Sequence, residues 1–226
     1  FLAANLESRF IETIRLNDDL EYFSNAPVAV GRRSLKNNCL SYLLELEKIE
    51  NFDDCLNRLK KANNMTDAIA ALNGLSNFDY PQRKEGLTWF RNKWKREELV
   101  MDKWFTVQAL SRLDHTLDSL RDLTKDEYFS IKNPNKVRAL IGAFCHGNMA
   151  LFHQKTGEGY AFCAENIKVL DDINPQIAAR LSRAFDQWRK FDSDRQVLAQ
   201  KALESVLNKN GLSKDTYEVI NKTLGN

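Results

Sequence analysis

Two asparagine-proline pairs, Asn133-Pro134 and Asn174-Pro175, stand 41 residues apart and open similar runs, NPNKVRALIGAF and NPQIAARLSRAF. Asparagine suits the residue that caps a helix and proline suits the first helical position, so each pair predicts a helix start. Lys136 and Arg138 follow the first pair; Gln176 and Arg180 follow the second. Unpaired backbone N–H groups and the positive dipole end converge at such a start, and a guanidinium there can fork a carboxylate or a carbonyl. Gln176 and Arg180 are one turn apart and share a face, with Ile177, Leu181 and Phe185 on a neighbouring apolar stripe. The chemistry this predicts is binding of an anionic or peptide-like group. The same pattern also suits ordinary capped helices of a helical stack.

Other constellations carry less. Cys145, His146, His153 and Cys163 make a C-H-x6-H-x9-C series. Two Cys and two His suit zinc, but adjacent ligands at 145 and 146 point apart on a helix. Cys145 and Cys163 also sit beside Phe144 and Phe162, as buried small apolar residues do. No metal site is assigned. The sequence has no G-x-S-x-G, no H-E-x-x-H and no phosphate-binding glycine loop. Between Trp89 and Arg96, and again at Lys103-Trp104-Phe105, aromatics alternate with basic residues, a pattern able to stack bases and hold phosphates. Phe90 and Trp94 are one turn apart, however, so core packing with outward-snorkelling Lys and Arg explains it better. No nucleic-acid partner is assigned.

The elements that must carry these residues are helices. In 226 residues there are only 9 Gly and 4 Pro, hydrophobic content is 43% and the net charge is +2. That balance gives no electrostatic argument for nucleic acid or an anionic membrane. No apolar run reaches the roughly 20 residues of a membrane helix. FLAANLESRF has neither a basic leader nor a long apolar stretch, so it reads as no signal peptide. Without an initiator Met, the chain reads as cut from something longer. Four scattered cysteines read as free thiols in a reducing, cytoplasmic compartment.

Helical periodicity runs through nearly every segment. Leu2, Leu6, Phe10 and Ile14 step by four. Leu35, Cys39, Tyr42, Leu43 and Leu46 predict a stripe on a helix from about 31 to 49. Asn51 is expected to cap the next helix, and the helix at Met65 to fray after Asn73-Gly74. Helices are expected from Pro81, over 99–110, around Leu117, and over 158–172, 175–190, 193–208 and from 214. Thr124-x-x-Glu127 and Ser193-x-x-Gln196 are read as capping boxes. The loop from His146 to Glu158 is expected to hold one short helix at 149–152. The predicted fold is all-α, a single domain over 1–226 with about a dozen helices in antiparallel pairs, stacked as a superhelical array like HEAT or armadillo repeats.

Five blocks in order carry a resemblance: NNMTDAIAAL (63–72), LVMDKWF (99–105), NPNKVRALIGAF (133–144), GEGYAFCAENIKVLDDINPQIAARL (157–181) and the ending LSKDTYEVINKTLGN. Together they resemble the C-terminal region of the aminopeptidase N family, zinc-dependent gluzincin peptidases, from about Arg32 onward. The resemblance implies a non-catalytic helical domain that closes over the catalytic domain of the same polypeptide and controls access of peptide substrates. It implies no cofactor in this chain and zinc in the parent, because the H-E-x-x-H and G-x-M-E-N motifs belong upstream. By the same resemblance Gln176, Arg180 and Arg138 face the substrate cavity. Cys145-His146-Gly147 departs from the small Ala-Gly-Ser run of the family. A stand-alone peptide-binding helical scaffold and a helical RNA-binding repeat are the alternatives.

Overall fold

The computed structural model describes residues 1–18 and 23–225. Among them there is no strand. The chain divides into two compact units, Phe1–Val100 and the remainder from Met101. The first holds α1 (Leu2–Asn5), α2 (Glu7–Leu16), α3 (Pro27–Leu44), α4 (Ile49–Lys61), α5 (Met65–Ser76) and α6 (Pro81–Trp94). The second holds most of α7 (Glu98–Ala109), then α8 (Thr116–Leu123) and α9 (Pro134–Val137). A π turn (Arg138–Gly142) leads into α10 (Ala143–Gly147), followed by α11 (Met149–Phe152), α12 (Glu158–Ile173) and α13 (Pro175–Ser182). Two 3-10 turns, Arg183–Phe185 and Trp188–Lys190, precede α14 (Ser193–Leu207) and α15 (Lys214–Leu224). The fold is therefore an all-α array of paired helices, as expected, with short connections placing neighbours antiparallel.

In the first unit α2 packs on α3, α4 on α5, and α5 on both α3 and α6. Leu44, Phe52, Cys55, Leu59, Leu72 and Phe90 form a fully buried centre. Helix α5 does not fray at Asn73-Gly74 but runs on to Ser76. A Cβ on Gly74 would stand 2.6 Å from Leu44 Cδ1, so the glycine is there to let α3 approach. The stripe expected on α3 is also rotated. Leu35 and Tyr42 are 50% and 41% exposed, while Arg33, Lys36, Cys39, Leu40 and Leu43 are buried. Lys36 goes inside because its ammonium meets Asp67 at 2.9 Å. Asp67 in turn receives Asn64 and Asn37 amides at 3.0 and 2.9 Å. Burial opposes ionisation of Asp67, but these donors win and hold its carboxyl below the usual range.

Several helix ends correct the sequence reading. Helix α3 starts at Pro27 and stops at Leu44, not 31–49. Asn51 caps nothing; Lys48 is the capping position of α4, and the Asn51 amide donates to the Leu43 carbonyl at 2.7 Å. Thr124 ends α8 instead of starting a helix. Asp192, not Ser193, caps α14, accepting from the Arg195 N–H at 3.1 Å, while Gln196 turns back to the Phe191 carbonyl at 2.8 Å. The two asparagine-proline starts, the short helix at 149–152 and the start of α12 appear where expected.

In the second unit α12 packs on α13 and α14, and α13 on α15. Phe144, Phe152, Tyr160, Ile167, Phe185 and Leu203 are buried between them. The start of α12 lies directly on α11: a Cβ on Gly159 would meet the Phe152 carbonyl oxygen at 2.4 Å. His153, 5% exposed, places Nδ1 at 2.8 Å from the Tyr160 hydroxyl and stacks on Phe191 with ring centres 3.9 Å apart. Its carbonyl accepts from Arg195. Burial, helped by the Arg195 charge, pushes the His153 imidazole down to about 4.

Two tests follow from this packing. Gly159→Ala must displace backbone, so it is expected to cost about 1–3 kcal/mol of unfolding free energy. Gly31→Ala, on an open face of α3 with nothing within 4 Å of the new Cβ, is expected to stabilise by about 0.5–1 kcal/mol through helix propensity; urea melts of both variants check this. For His153, the folded state favours the neutral ring, so the unfolded chain binds the proton more readily. Its contribution is complete above about pH 6.5 and is lost as pH falls toward 4, of the order of 2 kcal/mol by pH 5. Urea melts at pH 7 and pH 5 should show this loss for the native chain and not for His153→Gln.

Candidate substrate-side groove

Both asparagines cap as their type requires. Asn133 Oδ1 accepts from the Asn135 N–H at 2.9 Å, and Asn174 Oδ1 from the Ile177 N–H at 3.2 Å. Between the helices they start lies a groove of about 220 Å³. Val137, Gly142, Ala143, Ile177 and Leu181 make its apolar floor, and Arg138, His146 and Arg180 bring polar heads to it. The structure thus brings together Arg138 and Arg180 of the three residues singled out from sequence. Gln176 is exposed on the first turn of α13 and does not line this groove.

The π turn shapes the groove. Arg138, Gly142 and His146 follow one another in steps of four, the first step within the π turn and the second in α10. In a helix of 3.6 residues per turn such steps drift sideways by about 40° each. The wider i→i+5 turn reduces that drift over the first step and keeps Arg138 and Gly142 closer to one line. Arg138 leans back on its own helix start: Nε donates to the Pro134 carbonyl at 3.3 Å and Nη2 to the Asn135 side-chain oxygen. Both arginines are exposed. Fixed cations over an apolar floor attract an anion or carbonyl more strongly than they would in open water, because the walls displace solvent.

The sequence reading weighs His146 as a metal ligand and as part of a departure from the family's run, not as a partner of Arg180. His146 lines the groove with Arg180; although its side chain reaches the surface, loss of surrounding water first, then the Arg180 charge, lower its pKa, with Asp186 opposing. Its former partners lie elsewhere. Cys145 and Cys163 are buried against one another, and burial raises the Cys163 thiol well above its ordinary value. His153 is committed to Tyr160. Among the described residues no three His, Cys, Asp or Glu gather as a metal centre. The aromatic-basic segment is likewise occupied: Phe90 and Trp104 are buried, and Lys93 lies over the rings of Trp89 and Trp94 at 4.6 and 5.3 Å.

A family described as a domain of unknown function with ARM repeats (DUF3458_C) matches residues 1–225. Aminopeptidase N of Escherichia coli strain K12 is 39% identical over 197 residues, 86% of this chain and 22% of that protein. The chain belongs to the aminopeptidase N family, as its C-terminal helical domain. Aminopeptidase N of Haemophilus influenzae is 35% identical over 226 residues, covering 99% of this chain and 25% of the relative. A crystal structure of Legionella pneumophila aminopeptidase A in complex with aspartic acid superimposes with a TM-score of 0.90 at 29% identity, over 99% of this chain and 27% of that one. This aminopeptidase N domain thus spans about a quarter of the length of the curated relatives it matches. No helix among the described residues is long and apolar enough to cross a membrane.

Because the Arg180 charge is one of the forces lowering the His146 pKa, Arg180→Ala should raise it toward the ordinary value without reaching it, burial being the larger cause. An NMR titration of the His146 ring in both proteins measures the shift; a fall in pKa, or none, would contradict the placement of Arg180 beside the ring.

Proposed function

We propose that this domain is the non-catalytic cap of a zinc-dependent aminopeptidase that removes N-terminal residues from peptides. In this reading it walls the substrate cavity of the catalytic domain, with Arg138, Arg180 and Gln176 on the substrate side, and controls access. The observation that carries the reading is the match along the whole chain to a family whose members are about four times as long. The groove supports it: two guanidinium groups stand over an apolar floor at capped helix starts, an arrangement suited to a peptide carbonyl or carboxylate with an apolar side chain beneath.

In this reading zinc belongs to the catalytic domain of the longer polypeptide and this domain contributes recognition. Arginine carries its charge at every working pH and exchanges no proton. The arginines are therefore assigned to holding and orienting, and His146, with its lowered pKa, to the neutral form at pH 7. Buried free thiols at Cys39, Cys55, Cys145 and Cys163 suit a reducing compartment, consistent with the cytoplasm.

The test uses the full-length enzyme. Arg180→Ala is expected to lower kcat/KM for peptides by about 1–3 kcal/mol, the scale of a lost charge-assisted hydrogen bond, or roughly 5- to 150-fold. Zinc content and the melting curve should not change. Loss of folding would make Arg180 structural, and unchanged peptide kinetics would remove it from the cavity wall.

A further inference from the structure

The first unit contains a buried cation for which no described carboxylate supplies a counter-charge. Arg33, in the second turn of α3, is 5% exposed. Its Nη2 donates to the Ser24 carbonyl at 2.8 Å, and its guanidinium carbon lies 4.9 Å from the Phe23 ring centre. Its Nε is buried without a hydrogen-bond partner. Lys36, one turn further along α3, shows the contrast: it is as deeply buried but sits 2.9 Å from Asp67 and 3.4 Å from Asp18. Among the described residues no carboxylate pairs with Arg33 in this way. A buried unpaired charge is expensive to keep, and a guanidinium that stays inside calls for a partner.

A cavity of about 390 Å³ opens beside it. Arg33 lines it together with Asn25, Ser34, Asn37, Asn38 and Thr66, and no described carboxylate does. The Asn37 amide is already turned to Asp67. Asn25, Ser34, Asn38 and Thr66 add amide and hydroxyl groups to the wall, and Phe23, Val30 and Ala70 add apolar surface. A planar cationic fork with neutral donors beside it is the recognition chemistry of an oxyanion.

We infer that this cavity is an oxyanion site that takes a small carboxylate or phosphate, whose charge Arg33 neutralises. It shares no residue with the Arg138–Arg180 groove, and its existence does not depend on the aminopeptidase reading.

The experiment is thermal denaturation of the full-length polypeptide at fixed ionic strength, with chloride replaced by inorganic phosphate or by N-acetylglycine, a carboxylate with no free amine. In the native protein the midpoint of the transition that unfolds this domain should rise by about 3 °C per tenfold increase in anion beyond half-saturation. A response to phosphate alone identifies the phosphate source, and a response to N-acetylglycine alone the carboxylate. Arg33→Met keeps an apolar stem and deletes the charge; it should lose the response and melt close to the native protein in anion-free buffer. Arg33→Lys keeps the charge without the fork and should need about tenfold more anion for the same rise. Equal responses in native and Arg33→Lys or Arg33→Met proteins would mean a general salt effect or an adventitious ion only, and the site would be withdrawn. A large drop in the midpoint of Arg33→Met without anion would show that the polypeptide itself already supplies the counter-charge, and would also overturn it.

Discussion

A helix start leaves backbone N–H groups with no carbonyl one turn earlier to receive them, and this fold depends on how those groups are satisfied. Asn64, Asn133, Asn148, Asn174, Asp192 and Ser213 each accept from an N–H two or three residues on. Such caps end one direction of chain and begin another within a few residues, which is what permits the short connections of a paired array. Asn148 does more than cap: its amide also donates to the carbonyls of Ala109 and Ser111 at 3.0 and 2.8 Å. One side chain thereby joins the end of α7 to the start of α11. Helix ends need partners too, and Arg189 donates to the Thr223 carbonyl at 2.7 Å and to Leu224 at 2.6 Å, closing α15.

Helix class and most helix positions could be read from residue type, because caps, prolines and apolar spacing are local signals. The errors arise where a distant partner overrules the local pattern. Lys36 looks like a surface residue until Asp67, thirty-one positions away, is seen to receive it, and that burial rotates the whole of α3. Thr124 has the spacing of a capping box but no helix behind it to cap. At the start of α14 two neighbouring residues were both chemically able to cap, and Asp192 takes the position ahead of Ser193.

The groove was half legible. Arg138 and Arg180 emerge from repeated asparagine-proline starts, and the repetition is what brings two similar helix beginnings to one surface. Gln176 shares a face with Arg180 by spacing but lies one turn nearer the exposed end of α13. The π turn left no mark in the sequence that periodicity could detect, since one extra residue per turn looks the same as a change of face. His146 was hidden for a different reason. Its neighbours in sequence suggested a metal ligand, whereas its significance comes from Arg180, a residue on another helix.

All four native thiols lie inside the helical packing, and burial pushes that of Cys55 up to about 12. Thiol-directed reagents therefore meet an essentially blank surface. A cysteine placed at exposed Arg138 or Arg180 would be the one reactive sulfur on the domain, without prior removal of the native four. A fluorophore or spin label could then be attached at the groove while the core that positions it stays untouched. Chain packing has in this way prepared the domain as a site-selective reporter of whatever enters that groove.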